Sequence, residues 1–265
     1  MKALGCVLVT ATCALAPTLS AAWPADLTEL MARDARRAVP LSLARLLSER
    51  ESVILERVAR YPPELTSLVE SDLIEGRLRP GTLDALDAEA KAIVGLLQSR
   101  HTNEALFRLG AILRVVADIS DPVLSAGPRG YPAGVTREYY QFTRDNLDKI
   151  TVVLDEPGAL TLRRNELPAY WQGLVDRSRK QAPVIRAELF KRGKIVDRRT
   201  IDYRNPVFGV ASISYSRTVT AIAATWLAIW RDARGDTTRL PAPKTVGPHA
   251  AFPSAETATL NGAAR

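Results

Sequence analysis

The residue types that most often carry out chemistry are scarce in this 265-residue chain. It contains two histidines, His101 and His249, and two cysteines, Cys6 and Cys13. Two imidazoles are too few for a multi-histidine metal centre, and two thiols are too few for a disulfide scaffold or a cysteine-rich zinc module. His249 lies in a proline-rich stretch, and His101 lies at a predicted helix junction, where a capping or surface role is more common than catalysis.

Acidic residues are the remaining candidates for acid–base or metal chemistry. Asp118 and Asp121 end one predicted helix, whereas Glu70, Asp72 and Glu75 end another. Such groups usually solvate a helix surface, because charged side chains are rarely buried without a partner.

Arg114 and Asp118 are four residues apart, so a helix places them on one face, where they can pair. An exposed pair would contribute about 0.3–0.5 kcal/mol. If the pair were buried, removal of Arg114 alone would cost about 3–5 kcal/mol, because it would strand the Asp118 carboxylate.

The elements that must position these groups are predicted to be helical almost throughout, because apolar residues recur with helical spacing. The predicted helices cover residues 26–38, 42–59, 62–76, 82–99, 102–122, 136–153, 166–191 and 206–234. Ile195-Val196, between basic residues, could instead form a short strand. The pattern predicts a single all-α domain, a multi-helix bundle over residues 23–234, followed by a disordered tail over residues 235–265.

Residues 1–22 have the pattern of a secretory signal peptide: a positive start, an apolar run over residues 3–16 and a small-residue motif, Ser20-Ala21-Ala22. We therefore expect export to the periplasm or the medium, with Trp23 as the first mature residue and both cysteines removed. A lipoprotein anchored through one of the cysteines is the less favoured alternative. No transmembrane segment is predicted after cleavage.

The formal net charge is +7, and loss of Lys2 with the signal peptide would leave 35 − 29 = +6. Basic and acidic residues alternate along most of the chain, which predicts no specific nucleic-acid binding. The densest basic runs are residues 177–180 and 191–194. They are interpreted as solvated faces, with contact to an anionic membrane or polyanion as the alternative.

The segment 105–124 resembles a metal-site helix of the zinc-dependent phospholipase C and S1/P1 nuclease superfamily. That family is all-α, has a three-zinc phosphodiesterase site and carries His-x3-Asp-x5-His at this place. The three positions here are Arg114, Asp118 and Leu124, so the spacing and Pro122 are kept while both histidines are replaced.

The resemblance extends over roughly residues 23–153 and implies further positions of a former metal cleft. The mature chain of family members begins with a tryptophan whose amine and carbonyl bind zinc, which corresponds to Trp23. A ligand aspartate corresponds to Asp72. A late His-x3-acid pair corresponds to Arg137 and Gln141, and His101 lies too far from Asp72 to fit a remaining histidine position.

These substitutions imply that no zinc is bound, with Trp23, Asp72 and Asp118 as residual metal candidates. We hypothesise that Arg114 and Arg137 replace the zinc charge with guanidinium charge and hold the former cleft together.

Three functions remain open on this basis. The protein could be an exported, non-catalytic family member that is associated with the envelope or binds a small anionic or phosphate-bearing ligand. It could be an active phosphodiester hydrolase with one oxygen-ligated Mg²⁺, Mn²⁺ or Ca²⁺ ion. It could also be an unrelated helical scaffold for partner proteins.

Overall fold

The computed structural model describes residues 23–59, 63–126, 131–132, 134–154, 156–238 and 245–248. The predicted signal peptide, both cysteines and His249 lie outside the described residues. The described chain is mostly helical, which confirms the all-α prediction. The α-helices are α1 (Ala25–Arg36), α2 (Leu41–Glu49), α3 (Glu51–Ala59), α4 (Pro63–Glu75), α5 (Pro80–Gln98), α6 (Thr102–Ile119), α7 (Val135–Asp145), α8 (Leu167–Arg179), α9 (Ala182–Leu189) and α10 (Pro206–Asp232).

Short strands and 3-10 helices connect these helices. Strand β1 (Thr151–Val153) pairs antiparallel with β4 (Thr245–Pro248), and β2 (Phe190–Lys191) pairs antiparallel with β3 (Lys194–Ile195). The 3-10 helices are Leu124–Ala126, Leu147–Lys149, Pro157–Thr161, Arg164–Glu166 and Arg198–Thr200.

Four predicted segments differ from the observed elements. The helix predicted over residues 42–59 is divided at Arg50, and the one predicted over residues 166–191 is divided after Arg179. Pro183 lacks an N–H donor and is suited to the first turn of a new helix, which explains the second division. Residues 151–153 form a strand, as their β-branched side chains favour. Within the tail predicted to be disordered, residues 245–248 form the strand that pairs with β1.

Helices α6 and α10 lie at the centre of the described fold. Helix α6 packs against α3, α5 and α10, and α10 packs also against α1 and α9. The buried apolar side chains form one continuous cluster drawn from most of the helices. Helix α10 is long and apolar enough to span a membrane, but 78% of its most apolar window is buried inside the protein, as expected of a core helix.

The turn after α4 explains why the sequence has a glycine, Gly76, at the predicted end of this helix. Gly76 has φ of +79°, and its N–H donates to the carbonyl of Leu73 while the N–H of Arg77 donates to that of Asp72. These two bonds form a Schellman motif, which satisfies the last carbonyls of the helix. A Cβ at Gly76 would also meet the Arg179 guanidinium, but that flexible side chain could move aside, so the positive φ is the constraint that favours glycine here.

Candidate functional site

The Arg114 guanidinium joins the first described residue of the chain to the middle of α6. Its Nη1 donates to the Trp23 carbonyl oxygen at 2.9 Å. Its Nε lies 3.1 Å from Asp118 Oδ1 and 3.4 Å from Oδ2, to which it donates. The two side chains are 12% and 3% exposed. The pair predicted from the i, i+4 spacing therefore exists, and it is buried.

The Trp23 side chain is fixed at its other end by α7. Its ring lies 5.9 Å from that of Tyr139 and 5.4 Å from that of Tyr140, and the side chain is almost completely buried. Tilted aromatic contacts of this kind add to the stabilisation gained by burial. Trp23 thus connects α6, through its carbonyl, with α7, through its indole.

A second buried carboxylate lies beside the first. Asp121 follows α6, and its Oδ2 accepts a hydrogen bond from the Tyr140 hydroxyl at 2.5 Å. Its Oδ1 accepts one from the Val123 N–H at 2.7 Å, which stabilises the turn into the next 3-10 helix. The interpretation that Asp118 and Asp121 solvate a helix surface is wrong, because both side chains are buried in the core.

Burial determines the protonation of this pair. It raises the pKa of Asp118 to about 6, although the Arg114 guanidinium acts in the opposite direction, and the charge of Glu70 raises the pKa further. Burial likewise raises the pKa of Asp121 to about 7, against the hydrogen bonds donated by Tyr140 and Val123. Near neutral pH both carboxyl groups are therefore still partly protonated, so together they carry less than two full negative charges. We call these residues the Arg114 cluster: Trp23, Glu70, Arg114, Asp118, Asp121 and Tyr140.

Helix α4 contributes a different acid from the one predicted. Asp72 is completely buried, but its Oδ2 accepts the backbone N–H of Arg79 at 2.7 Å and its Oδ1 pairs with the Arg79 side chain. It therefore stabilises the connection between α4 and α5. Glu70 precedes it by two residues, which is about 200° around a helix, and acts electrostatically on Asp118 instead.

Arg137 does not hold the cluster together, so that part of the charge-replacement hypothesis is wrong. It is one of the more exposed side chains of α7 (69%), and its Nε lies 3.6 Å from Glu138 Oε1. Gln141 is half-buried on the same helix, and Leu124 is a buried apolar residue of the 3-10 helix after Asp121. His101 is exposed and its Nδ1 lies 3.0 Å from the Ser99 hydroxyl, consistent with the surface role predicted for it.

The residues at the positions to which the resemblance assigns metal binding do not fit three zinc ions. Zinc requires several imidazole, thiolate or carboxylate donors around one point. Arg114, Leu124 and Arg137 offer no such donor, and the carbonyl and carboxylate that could remain are already engaged by Arg114. The described ranges contain no group of three or more His, Cys, Asp or Glu side chains placed to hold a metal ion.

Sequence reasoning missed Asp121, Tyr140 and Glu70 as members of the cluster. The Asp121–Tyr140 contact joins residues 19 apart, one just after α6 and the other on α7, so no local spacing indicates it. The influence of Glu70 on Asp118 depends on how α4 is rotated about its axis relative to α6, which the sequence does not indicate.

Comparison with protein-family models, with curated proteins and with solved structures finds no match to this chain.

Proposed function

We propose that this chain is an exported, non-catalytic protein of the phospholipase C/P1 nuclease type that binds a small anionic ligand beside Arg114. One observation carries the proposal. The Arg114 guanidinium donates to both the Trp23 carbonyl and the Asp118 carboxylate, the two groups to which the resemblance assigns metal binding. A guanidinium is always ionised and has a forked donor geometry, so it can hold two oxygen acceptors as a metal cation would.

The charges around Arg114 are consistent with a cluster that is stable without metal. The fixed positive charge of Arg114 lies against the buried Asp118 carboxylate. The raised pKa values of Asp118 and Asp121 let both carboxyl groups take up protons near neutral pH, which reduces the repulsion between them. The hydroxyl of Tyr140 and the N–H of Val123 supply donors to the second carboxyl group. No metal is needed to prevent repulsion between the two carboxyl groups.

Donors without partners in the cluster and in the 3-10 helix after Asp121 support a ligand that accepts hydrogen bonds. Arg114 Nη2 donates to no described residue, and the side chain keeps 12% of its surface exposed. Trp23 Nε1 and Ser125 Oγ are buried and have no hydrogen-bond partner among the described residues. Buried donors without partners are uncommon and cost about 1–3 kcal/mol each, so a phosphate or carboxylate that reaches any one of them gains a hydrogen bond that the described residues do not supply.

Hydrolysis is disfavoured because the residual carboxylates are already committed. Activation of water for phosphodiester cleavage requires a metal held by free donors or a positioned base. Asp72 is bound to Arg79, and Asp118 is bound to Arg114.

Binding can be tested by titrating the purified protein with inorganic phosphate while following tryptophan fluorescence. We expect saturable binding that is lost in Arg114→Gln and kept in Arg137→Gln, a matched substitution of an exposed arginine. Binding unaffected by Arg114→Gln would contradict the ligand assignment.

Catalysis is tested separately with a chromogenic phosphodiester, with and without Mg²⁺, Mn²⁺, Ca²⁺ or Zn²⁺, and by metal analysis. We expect no turnover in any ion. Turnover that Asp118→Asn abolishes would favour the hydrolase, and more than one tightly bound zinc per chain would exclude charge replacement.

Export rests on the sequence pattern of residues 1–22. We expect the protein to be recovered from the periplasm or the medium, with Trp23 as its first residue by N-terminal sequencing. Recovery in the cytoplasm with residues 1–22 intact would contradict it.

A further inference from the structure

A strongly basic and largely exposed stretch lies far along the sequence from the Arg114 cluster, in residues 190–204, which we call the basic hairpin surface. This stretch contains six basic residues and two acidic ones, Asp197 and Asp202. Its net charge of 6 − 2 = +4 is more than half of the +7 of the entire chain. We propose that the basic hairpin surface docks onto a membrane that exposes anionic lipid headgroups.

The hairpin places like charges where folding does not require them. Lys191 and Lys194 are directly opposite each other on β2 and β3, and Arg192 and Gly193 form the two-residue turn between them. Like charges directly opposite each other destabilise a strand pair. Lys191 is paired with Glu188 at 2.8 Å, but Arg192 and Lys194 form no ion pair with a described residue.

The residue at the tip of the turn is unusual for its backbone conformation. Arg192 has φ of +52° and Gly193 has φ of +76°. A turn with both central residues at positive φ normally has asparagine, aspartate or glycine in the first position, because other side chains are strained there. A long, exposed cation therefore occupies a strained position at the tip, where it contributes nothing to the core.

The surface is held in place by polar contacts at its base. Glu188 accepts from both Lys191 Nζ at 2.8 Å and Asn205 Nδ2 at 2.9 Å, which joins the hairpin to the start of α10. Arg198 pairs with Asp145 at 2.7 Å and with Glu138 at 3.5 Å, which joins the following segment to α7. The basic tip therefore projects from a fixed base.

Exposed apolar groups among the cations favour a lipid surface over a nucleic acid. Ile195 is 39% exposed and Tyr203 is 53% exposed, and the Arg204 guanidinium lies 5.7 Å from the Tyr203 ring centre. A tyrosine and an aliphatic side chain beside Lys and Arg are suited to the headgroup boundary, where ring and charge are both satisfied. A nucleic-acid site would need basic residues that follow a groove, and the acids Asp197 and Asp202 interrupt such a track.

Co-sedimentation with vesicles tests the proposal. We expect the protein to bind phosphatidylcholine vesicles that contain phosphatidylglycerol, to bind pure phosphatidylcholine poorly, and to dissociate at high salt. The triple variant Arg192→Gln, Lys194→Gln and Arg204→Gln should bind about a hundredfold more weakly, from about fivefold per cation. Ile195→Thr with Tyr203→Ser should weaken binding while leaving its salt dependence unchanged.

The matched control removes the same charge elsewhere: Arg45→Gln, Arg50→Gln and Arg100→Gln, all exposed and without an ion pair to a described residue. It should change binding by less than about threefold. If the two triple variants bind alike, or if neutral vesicles are bound as well as anionic ones, the proposal is overturned. Loss of affinity for duplex DNA in the hairpin triple variant, without any vesicle binding, would assign the surface to a polyanion and also overturn it. Arg192→Gln alone, checked for helicity by circular dichroism, repeats the test where the triple variant fails to fold.

Discussion

Replacing Arg114 by methionine removes the guanidinium and keeps a side chain of similar length. At about pH 8 the Asp118 carboxylate, whose pKa is about 6, is ionised and would lose its cation. A buried charge left without its partner costs about 3–5 kcal/mol. At about pH 5 most Asp118 carboxyls are already protonated, so the variant loses chiefly the bond to the Trp23 carbonyl, worth about 1–2 kcal/mol. Arg114→Met should therefore destabilise the protein much more at the higher pH.

Urea unfolding followed by far-ultraviolet circular dichroism measures the difference. With a slope of about 2.5 kcal/mol/M, a loss of 4 kcal/mol lowers the midpoint by about 1.6 M. Arg108→Met is the control on the same helix, because Arg108 pairs with Glu89 and Glu104 at a half-exposed position. Its cost should stay below about 1 kcal/mol at both pH values.

A double-mutant cycle with Asp118→Leu isolates the pair itself. The two substitutions should couple by about 2–4 kcal/mol at the higher pH, because each single variant leaves one buried group without its partner. Equal costs of Arg114→Met at the two pH values, or a coupling below about 0.5 kcal/mol, would refute the role of Arg114 as the counter-charge of Asp118.

Three further substitutions test the surroundings of this pair. The pKa of Asp121 is raised to about 7 from an ordinary 3.8, so its contribution to stability is full below pH 3.8 and is lost as the pH rises through 7. Asp121→Asn should therefore remove up to about 4 kcal/mol of the pH dependence of stability, measured by urea titrations at several pH values. An unchanged pH profile would contradict this. Tyr140→Phe leaves Asp121 Oδ2 without its donor and should cost about 1–3 kcal/mol in thermal unfolding, whereas a neutral effect would show that the 2.5 Å bond contributes little. Asp72→Ala deprives the Arg79 N–H of its acceptor and should lower the free energy of unfolding by about 1–3 kcal/mol while leaving phosphate affinity unchanged. Loss of phosphate affinity in this variant would show that Asp72 belongs to the binding site.

The helical part of the fold could be predicted because burial imposes a period of 3.6 residues on the sequence. The Arg114–Asp118 pair in α6 could be predicted in the same way, since both residues belong to one helix and their distance follows from the helix geometry. The divisions between helices were harder. Neither proline nor glycine marks the break at Arg50, and the residue types alone do not indicate it.

Contacts between helices could not be predicted from spacing. The Trp23 carbonyl and Arg114 are 91 residues apart, and only a resemblance placed them at one site. The same holds for the acidic residues Glu70 and Asp72 near the end of α4. Only the packing of α4 determines that Glu70 acts on Asp118 while Asp72 binds Arg79. Arg137 was misplaced because its predicted role depended on a family position, whereas its helix turns that side chain to solvent.

The energetics of buried ion pairs separate a structural role of the Arg114 cluster from a binding role. Replacement of a buried ion pair by apolar side chains often leaves the free energy of unfolding unchanged or raises it, so stability alone does not require such a pair. The double variant Arg114→Met/Asp118→Leu should accordingly be more stable than either single variant and lie within about 2 kcal/mol of the wild type. If the cluster exists to bind an anion, this well-folded double variant will have lost its phosphate affinity, because the cation and its free donors are gone. A double variant that folds and still binds phosphate would place the ligand elsewhere and leave the Trp23–Arg114–Asp118 contacts as a purely structural connection.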